Sequence, residues 1–136
     1  MAITKDSNRQ GVLVVHQPFT WEDLGDGAIT TTTVFDAIQM PANAIVVGGQ
    51  LVITTVWDSS GTTTVSVGDG GSAARYLGDT SIKSAARTAL VPTGYKYTAG
   101  DTIDLDLALA TGVATAGEGY LEVEYIIDGR SNENQG

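Results

Sequence analysis

"DTIDLDLALA", residues 101–110, is the stretch that decides the fold. Ile103, Leu105, Leu107 and Leu109 alternate with Thr102, Asp104, Asp106 and Ala108. Successive side chains on a strand point to opposite faces, so a strict period of two puts the aliphatics on a core and the aspartates in water. "EGYLEVEYIID", residues 118–128, repeats the pattern, with Leu121, Val123 and Tyr125 on one face and Glu122 and Glu124 on the other.

Working outward, residues 45–57 form a longer apolar run. Ile45, Val47, Leu51, Ile53 and Trp57 share one parity, while Val46, Val52 and Val56 take the other. Apolar residues on both parities predict a strand covered on both sides for part of its length, with Gly48-Gly49 permitting a bulge or bend. Shorter strands are expected at 11–16, 29–38, 62–67, 73–77, 87–91 and 94–98. Heavy use of threonine and valine favours pleated strands, and 17 glycines against three prolines favour turns between them. "TWEDL" reads as a single helical turn capped by Thr20, and "TSIKSAARTAL" fits helix and strand alike. The sum is an all-β antiparallel sandwich, a jelly roll of about eight strands. It spans 11–129, after a polar N-terminal arm at 1–10 and before a polar, flexible tail at 130–136.

Four Gly-Asp pairs punctuate the strands: Gly25-Asp26, Gly68-Asp69, Gly78-Asp79 and Gly100-Asp101. Their irregular spacing excludes a repeat protein. They read as turns in which glycine supplies positive φ and aspartate bonds back to nearby backbone, as "NRQG", "PANA" and "DSSG" do elsewhere.

Composition excludes several functions. A formal charge of −9 argues against nucleic-acid binding, which draws on basic patches. No apolar run approaches the ~20 residues of a membrane-spanning helix, and the polar start "MAITKDSNRQG" is not a secretory signal. There is no cysteine, hence no disulfide and no thiolate metal site.

The glycine-rich stretch "VGDGGSAARYLGDTSIKSAARTAL", residues 67–90, offers chemistry at first sight. A phosphate cradle would need Lys-Ser/Thr opening a helix after the glycines, and "GDGGSAAR" has neither, while Asp69 would repel the phosphate. A calcium site from Asp101, Asp104 and Asp106, with Asp69 and Asp79, lacks the loop that gathers oxygen ligands. Asp104 and Asp106 are expected simply to face solvent. The lone histidine, His16, sits at the end of "VLVV" and cannot supply a cupin-type metal site that draws on several histidines. No serine has a recognisable partner, and Glu122 and Glu124 lie on an exposed parity. No catalytic residue, metal ligand or cofactor is expected.

One pattern is less bland. Arg75, Lys83, Arg87 and Lys96 are four of the seven basic residues, with Asp79 the only acid between them. Such an island suits docking against an acidic partner, or equally the protection of strand edges against aggregation.

The order "MPANAIVVGGQLVITTVWDSSGTTTVSVGDGGSAARYLGD", "RTALVPTGYKYTAGDTIDLDLA", "GEGYLEVEYIIDGR" resembles the capsid cement (decoration) proteins of tailed bacteriophages, those of Bordetella podophages in particular, from about Ala37 to Arg130. The resemblance implies a jelly roll on the outer surface of an icosahedral head, bridging and stabilising major-capsid subunits, with no catalytic residues. It implies as partners the major capsid protein and the chain itself, a homodimer favoured over a trimer, with no nucleic acid and no membrane. Synthesis would be in the host cytoplasm. Arg75, Tyr76, Lys83 and Arg87 are the first contact candidates. The rival reading is a glycan- or receptor-binding module of a tail or fibre, with Trp21, Trp57 and Tyr76 stacking on sugars.

Overall fold

The computed structural model describes residues 8–24, 33–109, 114–130 and 133–134. Among the described residues ten strands follow one another: β1 (Asn8–Arg9), β2 (Leu13–Thr20), β3 (Thr33–Met40), β4 (Ala44–Thr55), β5 (Thr63–Asp69), β6 (Ser72–Ser81), β7 (Arg87–Ala89), β8 (Asp101–Leu109), β9 (Glu118–Ile127) and β10 (Glu133–Asn134). Eight of them form two four-stranded antiparallel sheets, ordered β2-β9-β4-β7 and β3-β8-β5-β6. That interleaving of early and late strands is the double-sheet jelly roll. Among the described residues there is no helix; "TWEDL" is one turn, with Leu24 N–H bonded to the Thr20 carbonyl at 3.2 Å and Thr20 capping as expected.

The alternating stretches act as their period dictates. Ile103, Leu105 and Leu107 of β8 and Leu121 and Val123 of β9 are at most 1% exposed, packed with Val65, Val67, Leu51 and Met40 between the sheets. Each such aliphatic contributes roughly 2 kcal/mol by leaving water. Trp57 closes one end of this core against Phe19, with ring centroids 5.8 Å apart.

Strand β4 corrects one expectation. It is not covered on both sides. A bulge between Val46 and Gly48, opposite Tyr125 and Glu124, shifts the register so that the inward parity changes from Ala44 and Val46 to Leu51 and Ile53. Apolar residues on both parities are therefore one buried face interrupted by an insertion. Gly49 is confined to glycine, with φ of +143° and the Glu122 carbonyl 2.3 Å from where a Cβ would stand.

Other expectations shift as well. Residues 94–98 contribute only an isolated bridge, Lys96 to Ile45. Gly68-Asp69 and Gly78-Asp79 lie within β5 and β6, Gly100-Asp101 enters β8, and none of the three glycines has positive φ. That conformation falls to Gly49, Gly61, Gly94, Gly117, Gly129 and to Asn43 of "PANA". Gly25-Asp26 lies outside the described residues. In place of a turn at "NRQG", Asn8–Arg9 pairs with Glu133–Asn134. Gln10 clasps the end of β9, its Nε2 donating to the Ile127 and Arg130 carbonyls and its Oε1 accepting from Ile127 N–H at 3.0 Å.

Candidate functional site

Strands β6 and β7 and the segments after them carry the basic island, and the fold disperses it. Arg75 turns inward. Its Nε and Nη2 donate to Asp69 at 2.5 and 3.1 Å, its guanidinium lies 3.7 Å over the Tyr95 ring, and its side chain is only 18% exposed. Tyr76 is 2% exposed, its hydroxyl 2.7 Å from that of Tyr97, so it is a core residue and not a surface contact. Half-buried Lys83 donates its Nζ to the Ser59 carbonyl. Arg87 remains exposed, donating from Nε to Gln50 Oε1, and Lys96 pairs with Asp128 at 3.1 Å. Of the four contact candidates, Lys83 and Arg87 keep access to a partner.

What the loop around Asp69 builds is an internal polar anchor. Asp69 Oδ1 accepts from Gly71 and Ser72 N–H and from Arg75, and Oδ2 accepts from Arg75 and from Tyr97 O–H at 2.8 Å. Burial pushes its carboxyl up, but the Arg75, Tyr97 and Ser72 bonds outweigh this and hold it below the usual aspartate value. Burial, with the Tyr76 and Asp69 bonds, pushes the Tyr97 phenol far above its ordinary value, so it donates throughout the physiological range. Gly68 lets the β6 backbone approach β5 closely here, since a Cβ would stand 2.1 Å from the Ser72 carbonyl.

Two outer faces remain available. Across β2-β9-β4-β7 runs a polar ladder with one residue from each strand: His16 Nδ1 lies 3.3 Å from Glu122, Gln50 Nε2 donates to Glu122 at 3.3 Å, and Arg87 donates to Gln50. His16 also lies against Tyr120, ring centroids 4.5 Å apart. Over the ladder and the bulge between Val46 and Gly48 lies a groove of about 350 Å3, lined by Val47, Arg87, Pro92, Glu122 and Glu124 among others.

On the other sheet, β8 carries Asp104 and Asp106 outward, as their parity predicts, but Asp104 is only 7% exposed and so is not a solvated side chain. It stands directly across from Asp36 on β3. Burial raises its carboxyl pKa, the Thr102 hydroxyl bond at 2.6 Å opposes this, and the Asp36 charge adds to the rise. Among the described residues no three His, Asp or Glu side chains are grouped to hold a metal ion. The periodicity put both aspartates on the outer face but missed the burial of Asp104, and the Asp36–Asp104 pairing depends on a register set by a bulge at Asp36/Ile38.

The stacking aromatics of the glycan reading do not line a surface: Trp57 and Tyr76 are 2% exposed, and Trp21 is half-buried against the core.

No family model matches the chain, and no curated protein sequence matches it. Solved structures do match. A chain of the cyanophage Pam1 capsid asymmetric unit superposes with a TM-score of 0.67 at 25% identity, covering 93% of this chain and 92% of that one. A chain of the acid-stable capsid of Helicobacter pylori bacteriophage KHP30 gives 0.62 at 17% identity over 85% and 87%. A chain of the Ralstonia phage GP4 capsid gives 0.59 at 15% identity over 96% and 92%. The shared property is the jelly roll across nearly the whole of each chain.

Proposed function

We propose that this chain is a structural virion protein, a cement or decoration protein on the outer surface of a tailed-phage capsid, where it bridges and stabilises major-capsid subunits. The observation that carries the reading is end-to-end similarity to a chain of a phage capsid, with 93% of this chain used and little of either left over. Both outer faces offer charged, shaped surfaces suited to docking. A cement stabilises the assembled shell by binding it in preference to free subunits, and many modest interfaces add to a large collective effect.

Self-association fits the same reading. Strand β2 is an edge strand in which Val14, with Val12 just before it, is more than half exposed, and a second copy pairing along it would cover both in a symmetric dimer.

Quantitative mass spectrometry of purified particles tests the assignment. One copy per major-capsid subunit, or a simple fraction of that, is expected; a handful per particle would overturn it. Lys83→Glu with Arg87→Glu should weaken head binding while leaving the fold intact. Arg75 is unsuitable for that test because it is committed to Asp69.

A further inference from the structure

We propose that the outer face of β3 and β8, around Asp104 and Asp106, receives a cationic side chain, arginine by preference, from a neighbouring protein of the shell. This rests on the reading that the chain docks on a capsid and names the chemistry of one contact.

Four observations converge. Asp36 and Asp104 are direct cross-strand partners, and like charges set opposite each other destabilise a sheet. Asp104 is more than nine-tenths buried, so its charge also loses solvation. On the same face Asp106 Oδ1 is buried with no hydrogen-bond partner, an arrangement that costs free energy in an isolated chain. Asp104 and Asp106 both line a depression of about 180 Å3, closed by Val34 and by the turn from Gly70 to Ala73.

Among the described residues no donor reaches Asp106 Oδ1. Asp69, at the rim, spends both oxygens on Arg75, Tyr97 and its own loop. Arg75, Lys83, Arg87 and Lys96 each donate elsewhere. At a net charge of −9 the protein is itself a poor source of cations for a second copy, so charge complementarity points to a different, basic chain.

Guanidinium suits the site better than the alternatives. Its planar fork of five N–H donors can serve two carboxylates at once, and its weakly hydrated faces tolerate an apolar wall such as Val34, which is 55% exposed. A calcium ion requires six to eight oxygens, and the described residues show no grouping of that kind.

The test uses the full chain, 15N-labelled, titrated by NMR with the blocked tripeptide Gly-Arg-Gly, with Gly-Glu-Gly and with calcium chloride. The arginine peptide should shift amides at 34–36, 70–73 and 104–106, and Asp106→Asn should weaken that binding about tenfold or more, as loss of a charged hydrogen-bond partner does. Asn is isosteric and Oδ1 has no partner to lose, so the remaining spectrum should be unchanged. Absence of local shifts, equal binding by Asp106→Asn, or calcium binding to the same amides in preference to the peptide would overturn the proposal. A parallel assay on heads stripped of this chain separates the two levels. Wild type and Asp106→Asn binding heads equally well would overturn the cationic contact and leave docking standing. Wild type failing to bind would overturn docking, and the peptide titration would then decide the contact alone.

Discussion

Two aspartates one strand apart are treated in opposite ways. Asp69 ends β5, and its neighbour Gly68 faces Asp104 of β8 across the same sheet. Both side chains are withdrawn from water. Asp69 meets a guanidinium, a phenol and two backbone N–H groups, and its carboxyl falls below the ordinary value. Asp104 meets one threonine hydroxyl and another carboxylate, and its carboxyl rises. The difference teaches that burial alone does not set the charge state of a carboxylate; the donors that arrive with burial do. One site is finished within the chain, and the other is left for a partner.

The contrast can be broken most forcefully at its satisfied end. Asp69→Asn removes the anion from Arg75 and turns a donor toward Tyr97, and should cost about 3 kcal/mol in urea unfolding, as breaking a buried ion pair does. Because the folded carboxyl lies below its unfolded value, Asp69 contributes stability above about pH 4 that is lost as pH falls through the folded value. The variant should therefore show a flatter acid limb in a plot of stability against pH; an unchanged slope would sink the assignment.

Tyr97→Phe comes next. It deletes one hydroxyl bonded to both Asp69 and Tyr76, and a loss of about 1–2 kcal/mol is expected. A loss under a few tenths would mean that the tyrosine pair fills space without anchoring the loop.

The smallest effect has the opposite sign. Asp104→Asn keeps the acceptor for Thr102 and removes a like-charge contact, so it should stabilise the free protein at pH 7 by up to about 1 kcal/mol. The sign follows from the raised carboxyl: the folded state binds its proton more readily, so the penalty appears as pH rises above the unfolded value of about 3.9 and vanishes below it. Thermal unfolding at pH 3 and pH 7 separates the cases, and an equal gain at both would show that charge is not the cause.

Much of the fold was legible because period-two patterns report burial directly. Ile103, Leu105 and Leu107 lie inward, as do Leu121 and Val123, and Trp57 closes the core. The parity of β4 was harder to read, because one inserted residue before Gly48 exchanges the faces and sequence alternation cannot distinguish an insertion from double-sided burial. The candidate surface was less legible still. Arg75 and Tyr76 looked like exposed members of a basic loop, and only the fold brings Asp69, Tyr95 and Tyr97 around them. Partners 28 residues apart for Asp69 and Tyr97 leave no local signal.

By itself the sequence determined the all-β class, the strands that build the core and the acidic balance of the surface, since each follows from side-chain period and composition, which are local or additive. The tertiary structure alone decided which charges meet. It sent Arg75 inward to Asp69, set Asp36 opposite Asp104 and left Asp106 Oδ1 without a donor. Those pairings depend on register between distant strands, which one-residue bulges in β3 and β4 and a larger irregularity in β6 set.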